Sequence, residues 1–201
     1  MGIRKGRRPG SPDTRAAILA AARDAFAERG FDRASIRQIA ASAGVDPALV
    51  HHYFGTKDEL FLAAVQAPAD PRELLPQVLA GDREQLGERL VRMFLGVWDS
   101  PAGPAAAGIL RAAVSHEWSA RLIREFLVSQ VLRRVAAELD VPDSDRRVAL
   151  VASQLMGLAM ARYIIKLEPL ASAEPAWIVA AVGPALQRYF TGELPDLPTM
   201  G

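Results

Sequence analysis

Ser35, Arg37, Tyr53, Thr56 and Lys57 stand close together in the stretch SIRQIAASAGVDPALVHHYFGTKDEL, Ser35 to Leu60. Hydroxyl, guanidinium, phenol and ammonium groups are the donors that hold phosphate oxygens of a nucleic-acid backbone. Between them lie Pro47 and Ala48, slim enough at the tip of a helix to approach base edges, with Leu49 and His51 expected to face outward beside them. This is chemistry for gripping a duplex, not for breaking a bond. The adjacent His51 and His52 invite a metal reading, but neighbouring residues of a helix point about 100° apart and do not easily converge on one ion. The remaining histidine is His116, so neither a metal nor a cofactor is expected. No G-x-x-x-x-G-K, G-x-S-x-G, H-E-x-x-H or dinucleotide glycine pattern occurs. An enzyme would need His116 paired with Glu117 or Arg111 in a cleft, and is the least favoured reading.

Those donors need elements to position them. Ser35 and Gln38 have the spacing of a capping box that opens a helix with Ile36, Ile39 and Ala40 on its buried side. Ala43-Gly44-Val45 is a tight turn, with glycine supplying the backbone freedom for a steep change of direction. Asp46-Pro47 pairs an N-cap with a first-turn proline, so a second helix starts at once and runs to about His52. Val45, Val50 and Phe54 seat it on the first. Two short helices joined by such a turn make a helix-turn-helix, whose second helix enters the major groove while the first crosses the backbone. Thr56 caps the next helix with Glu59, which leaves the positive end of a helix dipole to a phosphate.

The rest of the chain bounds this reading. A length of 201 residues fits one domain or two small ones. With 50% apolar and 23% charged residues the composition is that of a soluble globular protein. The absence of cysteine excludes disulfides, thiolate catalysis and Cys-based zinc sites. The basic N-terminus is followed by no apolar signal region, and the longest apolar run, Ala176 to Leu186, is too short to span a bilayer. No membrane partner and a cytoplasmic location are expected. The net charge of +1 conceals an asymmetry, since residues 1–60 hold ten Lys/Arg against seven Asp/Glu. Four of the cations lie between Arg4 and Arg8, as a flexible basic arm suited to an anionic polymer or simply to solubility.

Helical spacing recurs throughout and strand alternation does not, so the fold class is all-α. After Ser11-Pro12, a helix with Ile18, Ala22, Ala25 and Phe26 on one face ends at Gly30. Pro68 and Pro71 interrupt the pattern. The expected divisions are a basic arm (1–10), a helix-turn-helix domain (11–67), a helical regulatory and dimerisation domain (68–192) and a disordered tail (193–201). In the second domain, Asp82 with Gln85 opens a helix to about Trp98, a short one reaches Val114, and Ser115 caps a longer one with Leu122, Phe126, Val131, Val135 and Leu139 inside. Helices from about 143 to 166 and 173 to 190 complete it. The first of these carries two apolar stripes, Val148, Val151, Leu155, Leu158 and Ile165, and Ala149, Met156, Met160 and Tyr163. The second is rich in small residues at Ala180, Ala181 and Gly183, with Pro184 expected to kink it.

On Phe26, Gly30, Ile36, Ile39, Ala40, Ala43-Gly44-Val45, Tyr53-Phe54, Lys57 and Leu60, the segment from about Thr14 to Val65 resembles the DNA-binding domain of the TetR family of bacterial transcriptional regulators. The resemblance covers about a quarter of the chain. It implies a three-helix DNA-binding domain, with contacts from Ser35, Arg37, Tyr53, Thr56 and Lys57, ahead of a helical bundle that dimerises and often encloses a small molecule. The chain departs from the family pattern at His51, where tyrosine is usual, and at Leu49, where threonine or serine is common. A homodimer through helices 143–166 and 173–190 would place two recognition helices roughly 34–36 Å apart to meet a palindromic operator in double-stranded DNA. Met93, Phe94, Trp98, His116, Trp118, Phe126 and Gln154 are the candidates for a mainly apolar effector pocket. The leading expectation is therefore a ligand-responsive regulator, most simply a repressor released by its effector. A constitutive or architectural DNA-binding protein remains the alternative, to be separated by whether the body encloses a cavity.

Overall fold

Apolar residues recurring every three or four positions can be buried only as helix stripes, and all regular secondary structure among the described residues is helical. The computed structural model describes residues 12–195, without the Pro12 side chain. The expected basic arm, the Ser11 cap and the tail from 196 onward lie outside the described residues. Four helices, α1 (Pro12–Arg33), α2 (Ile36–Ala43), α3 (Pro47–Phe54) and α4 (Lys57–Val65), form the head. The body comprises α5 (Pro71–Leu79), α6 (Leu86–Trp98), α7 (Gly103–Ser115), α8 (Glu117–Phe126), α9 (Arg133–Leu139), α10 (Ser144–Ala159) and α11 (Pro175–Thr191). A π turn, Leu127–Leu132, joins α8 to α9, and a second, Met160–Ile165, extends α10.

Several boundaries differ from the sequence reading. Gly30, at φ 78°, interrupts α1 without ending it, and Phe31 to Arg33 add one further turn. Asp82 caps a 3-10 turn, Arg83–Gln85, accepting from the Glu84 amide instead of forming a box with Gln85. Ser115 ends α7, its hydroxyl donating to the Arg111 carbonyl at 2.9 Å, and His116 precedes α8 without a side-chain cap. Helix α5 was not anticipated. It starts as α3 does, with an Asp cap (Asp70) and a first-turn proline (Pro71).

The described residues form two cores. In the head, Ile18, Phe26, Ile39, Leu60 and Phe61 are fully enclosed, and Leu122 of α8 completes this cluster from the body side. The body core gathers Val91, Leu95, Leu139, Val148, Ile178, Leu186 and Phe190. Of the two stripes expected on α10, Val148, Val151 and Leu158 are buried, whereas Ile165 is 65% and Met156 43% exposed. Ser144–Ile165 is long and apolar enough to cross a membrane by length and composition, unlike the run Ala176 to Leu186. Its apolarity has a structural cause: one side packs into the body core, while Leu150 emerges on the other and Met156 is partly exposed at the flank.

Helices α6 and α11 form the most extensive helix pair. The reason is glycine on both sides. A Cβ at Gly87 would overlap the Gly183 carbonyl oxygen and approach the Gln187 nitrogen to 2.7 Å, and one at Gly183 would reach the Glu88 Cγ at 2.7 Å. Gly183 thus serves packing within the chain, while its neighbours Ala180, Ala181 and Pro184 remain exposed. Arg147 fastens the end of α11 by donating to the carbonyls of Tyr189 (2.9 Å) and Gly192 (2.8 Å). Gly87→Ala is expected to lower unfolding free energy by about 1–3 kcal/mol despite better helix propensity, because the obstruction is backbone. Gly96→Ala, with open space around it, is expected to stabilise by about 0.5–1 kcal/mol. Chemical denaturation of both variants checks the opposite signs.

Candidate nucleic-acid interface and effector cavity

Each short helix of the head is started by its own sequence. Ser35 Oγ accepts from the Gln38 amide (3.3 Å) while the Ser35 amide donates to Gln38 Oε1 (3.2 Å), a complete capping box. Gly44 takes the left-handed conformation (φ 68°) and sends its amide to carbonyls of the last turn of α2. Asp46 Oδ1 then accepts from the Ala48 amide at 2.8 Å, and Pro47 fills the first turn of α3. Val50 and Phe54 are buried and Val45 half-buried, so α3 is seated by one side only. Its other side presents Ala48, His51 and His52 to solvent, with Pro47 and Leu49 half-covered. His51 is steadied by its Nδ1 against the Gly55 carbonyl (2.8 Å).

The five expected phosphate donors are placed unequally. Arg37 is exposed, and among the described residues no ion pair engages it. Ser35 accepts in its capping box and keeps its own hydroxyl proton to donate. Lys57 Nζ donates to the Asp32 carbonyl at 3.3 Å and lies 4.5 Å from the centroid of the Phe31 ring, leaving ammonium protons over. Thr56 is already engaged. Its amide and its hydroxyl both donate to Glu59 Oε2, at 2.7 and 2.8 Å, and these bonds hold the Glu59 carboxyl below its usual range. The capping box expected of Thr56 and Glu59 is thus complete, and it sets a carboxylate beside the helix end that a phosphate would approach. A phosphate contact would need Tyr53 to face outward, but it lies three residues from Val50 and so shares part of the seated side. Its ring is half-buried, and its hydroxyl is covered without a hydrogen-bond partner among the described residues.

The body carries a partly open cavity of about 270 Å³ between α6, α7, the α8–α9 run and α10. Every residue lining it is apolar, including Met93, Phe94, Trp98 and Phe126 of the sequence candidates. His116 and Gln154 are exposed and do not reach it. Helical position explains both: His116 sits at the α7–α8 corner, and Gln154 follows the outer side of α10 with Leu150. Trp118 lies instead in the crevice between head and body, near Arg23 and Ala64. Lining residues outside the sequence candidates for the pocket include Ile109, Leu127, Val131 and Met156. At one end, Trp98 stacks on Tyr163 at 4.9 Å, and Tyr163 donates to Asp99 Oδ1 at 2.8 Å. Burial, then that hydrogen bond, pushes the Tyr163 hydroxyl up to about 12, so the ring behind Trp98 stays neutral. Among the described residues no group of acidic or histidine side chains is arranged to hold a metal.

Two segments of the chain match known protein families. Residues 18–64 match the family described as bacterial regulatory proteins, tetR family, and residues 84–190 match the tetracyclin repressor-like C-terminal domain. An HTH-type transcriptional repressor of Mycobacterium tuberculosis is 55% identical over 51 residues, which span 25% of this chain and 27% of that protein. The HTH-type regulator BetI of Rhizobium meliloti is 39% identical over 56 residues, 28% of each chain. These matches span only about a quarter of each relative's length. A crystal structure of a TetR-family regulator from Streptomyces coelicolor is 42% identical, covering 92% of this chain and 99% of that one, with a TM-score of 0.48.

Proposed function

This chain belongs to the tetR family of bacterial regulatory proteins, and on that premise we propose that it is a cytoplasmic, dimeric, sequence-specific regulator of transcription. The observation that carries the reading is the one-sided seating of α3. A helix held by Val50 and Phe54 and started by Asp46-Pro47 exposes Ala48 at its tip, beside a left-handed glycine turn, and His51 and His52 in its last turn. A slim exposed tip is what a major groove admits. Ser35, Arg37 and Lys57 supply phosphate contacts around it, and Leu49 borders the tip. Thr56 and Tyr53 take part only if Glu59 and the cover over the Tyr53 hydroxyl give way.

The dimer surface of this reading is the outer side of α10 and α11. Leu150, Met156 and Trp177 are exposed there alongside Ala180, Ala181 and Pro184. A two-fold pairing of this surface doubles the reading head and matches a palindromic operator. The cavity favours an effector over constitutive binding. Its wholly apolar lining suits a small, uncharged, mainly apolar molecule, since a buried charge without a partner is costly. Such a molecule releases the operator when it binds better to a body that misplaces the heads. A coupling of about 1–3 kcal/mol changes DNA affinity roughly 5- to 150-fold.

Lys57→Ala is expected to weaken binding to all duplexes alike and to reduce the slope of log K against log salt by about one unit per protomer. Titration of binding against salt checks this, and an unchanged slope removes the phosphate role. Trp177→Asp is expected to shift the protein towards monomer in sedimentation while leaving its helical content intact. A stable Trp177→Asp dimer would move the interface elsewhere.

A further inference from the structure

Contacts from the body converge on one corner of the head. Gly30 turns the backbone so that the Phe31 amide donates to Glu125 Oε1 at 2.6 Å. A Cβ at Gly30 would sit 3.2 Å from the other oxygen of that carboxylate, so glycine lets Glu125 come this close. One residue on, the Asp32 carboxylate pairs with Arg133 at 2.7 Å, which holds the Asp32 carboxyl below its usual range. The same corner receives Lys57, through the Asp32 carbonyl and the Phe31 ring. A second route arrives through side chains. Phe126 lines the cavity, its ring lies 6.2 Å from that of Phe61, and Phe61 lies 5.1 Å from Phe31.

Continuity alone is not coupling; an element with two arrangements is required. The π turn Leu127–Leu132 has the construction such an element needs. It holds an extra residue in the helix, and passing that residue along or out of the turn rotates one flank against the other by roughly 100°. Leu127, Val131 and Leu132 of this turn line the cavity. Glu125 and Phe126 immediately precede it, and Arg133 follows it. An occupant pressing on the turn therefore acts on the corner from both flanks.

We propose that Glu125 is a positioning residue for DNA binding, setting the Phe31–Asp32 corner, and with it Lys57, according to whether the cavity is filled. This rests on the reading of the head as a DNA binder and of the cavity as an apolar site. The test uses the full chain, Nile red as a neutral apolar probe, and a duplex enriched from a random pool by the wild-type protein. Duplex affinity is measured with and without saturating Nile red for wild type, Glu125→Gln and Glu125→Ala. The wild type is expected to change affinity by about fivefold or more. The Gln variant, whose amide oxygen still accepts from Phe31, is expected to keep most of that response. The Ala variant is expected to lose it while binding Nile red as before. Amide exchange at Phe31 is read in parallel, and should change on Nile red binding in the wild type and not in Glu125→Ala. An Ala variant that keeps the full response overturns the proposal, and so does wild-type Phe31 exchange indifferent to Nile red, even if the Ala variant fails to fold. A wild type that binds neither duplex nor Nile red overturns the underlying reading with it.

Discussion

The head keeps its orientation because a body helix completes its core. Leu122 of α8 is buried in the same cluster as Ile18, Phe26, Leu60 and Phe61, and Phe126 packs against it from beside the cavity. Apolar burial is non-directional and would by itself allow sliding. Direction comes from the polar contacts at the rim: Glu125 on the Phe31 amide, Arg133 on Asp32, and Arg134 with Asp58 at 3.5 Å. Exposed ion pairs of this kind contribute little stability each. They tie the end of α1 and the start of α4 to the body, and the proposed groove contacts depend on where the body holds the head.

Around this joint the molecule separates two jobs with different chemistry. In the head, short helices depend on caps because eight or nine residues make a marginal helix, and Ser35, Asp46 and Thr56 provide them. One consequence is that Thr56 and Glu59, spent on starting α4, have less to offer a phosphate. In the body, polar groups are drawn away from the cavity. Arg162 donates to the carbonyls of Leu170 and Ala173 at 2.6 and 2.9 Å, and Gln130 accepts from Arg134, leaving an apolar lining.

The head could be read closely from the sequence because its signals are local. Capping residues, the glycine turn and the Asp-Pro start act within three or four positions, and each helix begins where they place it. What escaped was set by distant partners or by a weaker form of the same signals. The Asp70-Pro71 start of α5 repeats Asp46-Pro47, but with Pro68 so close it reads in the sequence as an interruption. The π turn was also written in the sequence: the inner stripe Leu122, Phe126, Val131, Val135, Leu139 steps by five between Phe126 and Val131, the spacing of a π turn. Gly183 looked like a dimer contact because nothing local announces that Gly87, far away in the chain, lies against it. Cavity residues were the least readable, since Phe126 and Trp118 are alike in chemistry and only the tertiary packing separates cavity wall from crevice.

The central claim is that α3 reads a duplex groove and that twofold pairing presents it twice. The most direct measurement is selection of bound fragments from random duplex DNA by the purified full chain, followed by sequencing. A palindrome with half-sites one helical turn or a multiple of it apart is the result this account requires. Recovery of no preferred sequence, or of a single unpaired half-site bound by one chain, would contradict it.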